Sequence, residues 1–70
     1  MRFSRHARNE MRLYRLASRD VEEVVANPAD REPDGKGNAR LSGDTGDGRR
    51  ILVVVSEDDP EFVITVFPRG

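Results

Sequence analysis

Cysteine and tryptophan are absent from these 70 residues, which include one tyrosine and one histidine. No disulfide and no thiolate metal site can form. A single histidine leaves only carboxylates to hold a metal, so no metal or other cofactor is expected. Long apolar runs are missing as well. The longest, Ile51 to Val55, is far below the roughly 20 residues that span a bilayer. The opening Met-Arg-Phe-Ser-Arg-His lacks the apolar core of a signal peptide. These gaps predict a soluble, cytoplasmic protein with no membrane partner. The length allows one domain, residues 1–70. A chain this short buries only ~60% of its unfolded surface, so a stability of a few kcal/mol is expected.

Charge is plentiful but unevenly placed. Residues 1–19 hold six arginines and one acid, Glu10, for a formal +5, whereas residues 20–70 hold six bases and twelve acids, for a formal −6. The net −1 of the whole chain conceals this separation. The six arginines stand at positions 2, 5, 8, 12, 15 and 19, and steps of three and four are the rhythm of one helix face. From Arg5 onward they cluster within about 80° of arc at a helical 100° per residue. Opposite them fall Ala7, Met11 and Tyr14, flanked by Leu13 and Ala17, with His6 and Glu10 on the same inward half.

This pattern predicts a helix from Arg5 to Leu16, capped by Ser4, with Phe3 as the end of a short strand or as a hydrophobic staple. A second helix is expected over 18–27. Ser18 is its candidate cap, Asp20, Glu22 and Glu23 suit the positive end of its dipole, and Val21, Val24 and Val25 form its apolar stripe. Pro28 ends it, because the residue before a proline is pushed out of helical geometry. So short a connection predicts a tight helical pair. Residues 29–39 are polar and rich in turn formers, and Asp34-Gly35 signals a hairpin or loop. Arg40 to Gly43 reads as a short strand, Gly46-Asp47-Gly48 as a turn, and Arg49 to Ser56 and Phe62 to Phe67 as two strong strands pairing in a hairpin. The resulting expectation is an α+β domain, two N-terminal helices on a three- or four-stranded antiparallel sheet. The last two strands are apolar on both faces and the helices can cover only one, so the other is expected to be covered by a dimer mate or a partner segment, and a homodimer is predicted.

Few spacings carry chemistry. Gly43 to Gly48 lacks the ligand spacing and terminal glutamate of a calcium loop, and Gly35-Lys36-Gly37 is too short for a phosphate loop. The arginine stripe is the clearest candidate. A guanidinium is a planar fork that matches phosphate and carboxylate oxygens. Arg5, Arg8, Arg12, Arg15 and Arg19 are therefore read as a binding surface for RNA or an acidic protein, against the alternative of a plain solvated face. Histidine is the side chain whose unperturbed pKa lies nearest neutrality, which makes His6 the natural general base or acid. Glu10, one turn on, could orient it. A histidine that only fixes the helix start is the other reading of the same residue.

The order of the pieces has a likeness. Phe3-Ser4-Arg5-His6-Ala7 opens a helix and Asp20-Val21-Glu22-Glu23-Val24 a second, which Asn27-Pro28 closes. Arg40, Arg49-Arg50-Ile51-Leu52-Val53 and Phe62-Val63-Ile64-Thr65-Val66 follow. Across nearly its whole length the chain resembles a family of small bacterial and archaeal domains of unknown function, itself similar to the RelE and BrnT type toxins of toxin–antitoxin systems. The resemblance implies a RelE-like α+β fold, functional positions at His6, Arg40 and Thr65, and metal-independent endoribonuclease chemistry. His6 would take the ribose 2′-hydroxyl proton as base or return it as acid, Arg40 and Arg50 would hold the phosphate, and Thr65 would position it. The family has arginine where this chain has Glu10 and Tyr14. The competing expectation is a non-catalytic dimeric module that binds nucleic acid or an acidic, antitoxin-like protein through its arginines.

Overall fold

In the computed structural model, which describes residues 1–69, seven elements follow in the order β1 (Arg2–Phe3), α1 (Arg5–Leu13), α2 (Ser18–Ala26), β2 (Asp30–Pro33), β3 (Asn38–Asp44), β4 (Arg50–Ser56) and β5 (Phe62–Pro68). The strands form one sheet in the order β1-β5-β4-β3-β2. The α+β expectation holds. The sheet differs from the three or four antiparallel strands expected: it has five, and it is mixed, because β1 runs parallel to β5. Phe3 is the second residue of a two-residue strand, too short to leave a period in the sequence. β2 lies inside the polar 29–39 segment. Its four residues are all exposed and pair antiparallel with β3 from Asp30↔Ser42 to Pro33↔Ala39, so no apolar alternation marks it. The β4–β5 hairpin is as expected, with one bulge where the register shifts between Val54 and Val55 and leaves Ile64 unpaired.

Ser4 caps α1, its Oγ accepting from the Ala7 N–H at 3.0 Å. The helix stops at Leu13, before the expected Leu16. Arg15 takes φ 55°, Leu16 N donates to Met11 O at 2.8 Å, and Arg15 N donates to Arg12 O at 3.3 Å. These two bonds and the left-handed residue make a Schellman termination, closed by burial of Met11 and Leu16 together. Glycine is the usual occupant of that position, so an arginine ended the helix where no sequence signal for an end existed. Ala17, rather than Ser18, stands at the cap of α2, and Asp20 reaches back to accept from the Ala17 N–H at 2.8 Å. The helices are not the tight pair expected. α1 packs on β5 and β1, and α2 on β3 and β4.

The core lies between the helices and one sheet face. Ala7, Met11, Val21 and Val24 meet Leu41, Val53, Val55, Val63 and Val66 there. At Gly43 a side chain would meet Val24 Cγ1 at 3.4 Å and Ala29 N at 3.5 Å, so the close passage of β3 beneath the end of α2 favours glycine. On the opposite face Leu52 and Val54 are only 6% and 9% exposed, and Phe67 is 37% exposed.

Both sheet edges are blunted. β2 presents Asp30, Arg31, Glu32 and Pro33, charges and a proline that discourage strand addition. Beyond β1, the edge of β5 is covered by α1. Ser4 N donates to Val63 O at 2.9 Å, Ser4 Oγ donates to Ile64 O at 2.6 Å, and Glu10 Oε1 accepts from Val66 N at 2.9 Å. The next edge-directed position is Pro68, which has no N–H to offer.

Candidate functional site

The five arginines Arg5, Arg8, Arg12, Arg15 and Arg19 are all exposed. They do not form one helix face. Arg5, Arg8 and Arg12 lie on α1, Arg15 sits in the turn at the left-handed position, and Arg19 belongs to the first turn of α2. Among the described residues none of the five has a carboxylate within ion-pair distance. The arginines at the start of β4 contrast with them. Arg49 pairs with Asp47 at 3.0 Å and Asp20 at 3.5 Å, and donates to the carbonyl oxygens of Tyr14 and Arg15 at 3.0 and 3.1 Å. Arg50 pairs with Asp44 at 3.0 Å. These bonds raise the pKa of both guanidinium groups. In return, the hydrogen bond from Arg49, with one from Thr45, holds Asp47 below the ordinary carboxylate value.

His6, Glu10 and Thr65 come together. The His6 Nε2 lies 3.4 Å from Glu10 Oε1, and the same oxygen accepts from the Thr65 hydroxyl and from Val66 N. Glu10 is mostly enclosed, with 16% of its side chain exposed, while the His6 side chain is 70% exposed. The inward placement expected for His6 is therefore not found: the second residue of α1, it is held at the rim of β5 only through Glu10 and leaves most of its ring to solvent. Tyr14, 37% exposed, lies just past the end of α1, and Leu13, 71% exposed, stands on the side of the helix away from the buried Ala7 and Met11, so neither joins the core.

The sheet arginines do not join this cluster. Arg40 alternates with the buried Ala39 and Leu41 on β3, so it points to the face away from the helices. Arg50 alternates likewise with buried Ile51 and is engaged by Asp44. The structure thus brings together His6 and Thr65 and sets Arg40 and Arg50 apart from them. Sequence reasoning undervalued Glu10. Its spacing from His6 was visible, but its main partners are on β5, 55 and 56 positions away. An open cleft of about 420 Å³ between Tyr14, Leu16, Arg49, Arg50, Ile51, Pro68 and Arg69 also went unseen, since three separate stretches of chain build it.

The fold defines a small two-helix α+β domain, with exposed arginines along α1 and the turn after it that have no carboxylate partner among the described residues, and ion-paired arginines at the start of β4. The chain belongs to the family described as a domain of unknown function, DUF4258, whose model matches residues 3–68. No curated protein and no solved structure matches the chain. Among the described residues no group of three or more histidine, cysteine or acidic side chains could hold a metal ion, and no helix is long and apolar enough to cross a membrane.

Proposed function

We propose that this domain binds nucleic acid, RNA in the first instance, through the exposed arginines of α1 and of the turn that follows it. One observation supports this most. Five arginines gather in one stretch of chain, exposed and without a carboxylate partner among the described residues. Each phosphate they neutralise releases counterions, so affinity should fall steeply with salt. The conformation of Arg15 adds weight, because a left-handed non-glycine residue costs roughly 1–2 kcal/mol. Phosphates suit this face better than an acidic antitoxin-like protein does. Along α1 itself Leu13 is the one exposed large apolar side chain among the described residues, and the apolar cleft at the helix end, about 420 Å³, is too small for a partner helix or strand.

Endoribonuclease activity of the RelE-like kind is a second reading, favoured by the meeting of His6, Glu10 and Thr65. His6 would act as the base towards a ribose 2′-hydroxyl, with Glu10 orienting its imidazole. Arg40 and Arg50 would not reach the same phosphate, so Arg5 and Arg8, the neighbours of His6 on α1, would have to supply the positive charge. Salt-titrated binding of single-stranded RNA tests the first reading. Cleavage of that RNA by wild type beside His6→Ala tests the second. Binding that His6→Ala leaves unchanged, without cleavage by either protein, leaves the binding module and removes the nuclease. A homodimer through the outer sheet face, with Phe67 at its centre, is a separate proposal that sedimentation decides.

A further inference from the structure

We infer that the cleft at the end of α1 takes one nucleotide of a single-stranded nucleic acid, with its base against Tyr14 and its phosphate on Arg69. The inference rests on the arginine-face reading and gives it a specific subsite. The floor is apolar, made by Leu16, Ile51 and Pro68, with Tyr14 as a half-open wall. A volume of about 420 Å³ lies in the lower part of the range for small-molecule pockets and suits one flat group. The rim is cationic, but its three arginines are not equivalent. Arg49 is a strut, tied to Asp47, Asp20 and the carbonyl oxygens of Tyr14 and Arg15. Arg50 is neutralised by Asp44. Arg69 has no carboxylate partner among the described residues, which makes it the group available to an anion.

The cleft is also continuous with the arginine face. Arg15 stands between Tyr14 and Leu16, and its left-handed backbone turns the chain from the helix surface into the cleft wall. A strand bound along α1 would therefore reach a stacking platform at the helix end. Aromatic platforms joined to cationic tracks are how single strands are held without sequence preference. A partner helix or strand would need a longer apolar groove than this cleft of about 420 Å³.

Tyr14 is the only tyrosine, and there is no tryptophan, so the intrinsic fluorescence of the full chain reports on this cleft. The probes are a short single-stranded oligoadenylate, inorganic polyphosphate as a charge-only polymer, and an acidic peptide carrying one phenylalanine. Oligoadenylate is expected to quench Tyr14, while polyphosphate binds with similar salt dependence and leaves the emission unchanged. Tyr14→Ala should weaken oligoadenylate binding about tenfold without altering polyphosphate affinity, and Tyr14→Phe should restore it. Arg69→Gln, at an exposed position with no bearing on the core, should weaken oligoadenylate binding while Tyr14 quenching at saturation persists. Steep salt-dependent binding of oligoadenylate with no quenching and no effect of Tyr14→Ala would overturn the cleft and leave the arginine face standing. No binding of either polyanion would overturn both. Quenching by the peptide alone would assign the cleft to a protein partner and overturn the inference.

Discussion

The arginines of α1 and those at the start of β4 are the same residue type in opposite circumstances. Arg49 and Arg50 are held by Asp47, Asp20 and Asp44, and Arg49 also braces the end of α1 through two carbonyl oxygens. Arg5, Arg8 and Arg12 have no such partner among the described residues. One set is part of the protein's internal wiring, and the other leaves its hydrogen-bonding capacity to solvent or to a partner. Composition cannot separate the two, because what differs is where the acids fold to. Of the twelve acids after residue 19, Asp20, Asp44 and Asp47 come to Arg49 and Arg50, Asp59 and Glu61 come to Arg2 and the amino terminus, and among the described residues none comes within ion-pair distance of Arg5, Arg8 or Arg12.

The strongest test of this contrast removes the unpaired set. Replacing Arg8, Arg12 and Arg15 together with Gln should lower the log–log salt slope of single-stranded RNA binding by about two, or affinity about a hundredfold at 0.1 M salt. Thermal stability should hold, and filter binding across a salt series measures the effect. Like-charged neighbours one turn apart repel by only a few tenths of a kcal/mol per pair, so relief of repulsion cannot account for a loss of that size.

A second test asks what holds the arginine helix in place. Glu10→Ala leaves the Val66 N–H and the Thr65 hydroxyl without their acceptor. An unsatisfied, partly buried donor costs about 1–3 kcal/mol, which urea unfolding should register. Glu10→Gln keeps an acceptor and should cost less.

Arg15 sharpens the comparison, because there the two requirements oppose each other. Arg15→Gly relieves the left-handed backbone and should raise stability by roughly 0.5–1 kcal/mol, after allowing for the greater entropy of an unfolded glycine. It should weaken RNA binding at the same time. A variant both more stable and equally tight would place Arg15 outside the binding face.

Smaller effects should separate the paired from the unpaired arginines by stability alone. Arg49→Met removes the brace between the β3–β4 turn and the end of α1 and should lower the melting temperature. Arg12→Met should stay within about 0.5 kcal/mol of wild type, as surface substitutions do. The smallest effect is acidic. Asp47, bonded by Arg49 and Thr45, and Asp34, which accepts from the backbone N–H of Lys36 at 2.7 Å, both lie below the ordinary value of 3.8. Their contribution to stability is complete above that value and is lost as pH falls through the lowered one. Asp34→Asn and Asp47→Asn should therefore matter at neutral pH and become silent in strong acid, as paired acid denaturation curves would show.

Local chemistry made much of this protein legible from its sequence. The helix period, the Ser4 cap, the stop at Pro28 and the two apolar strands depend on residues within a few positions of one another, and apart from the early end of α1 and the cap of α2 at Ala17 these elements stand where the pattern placed them. The excess of arginine at one end was equally plain. What the tertiary structure decided involved contacts between distant segments. β1 and β2 are strands only because β5 and β3 pair with them, and neither has a period of its own. α1 ends at a left-handed arginine because burying Leu16 beside Met11 outweighs the backbone cost. Glu10 binds the rim of β5, Arg49 and Arg50 find their acids while Arg8 and Arg12 find none, and Tyr14 turns from core to cleft wall. A sequence states which charges and apolar groups exist and where along the chain they lie. Which of them are left without a partner depends on distances through space, and only the packed chain sets those.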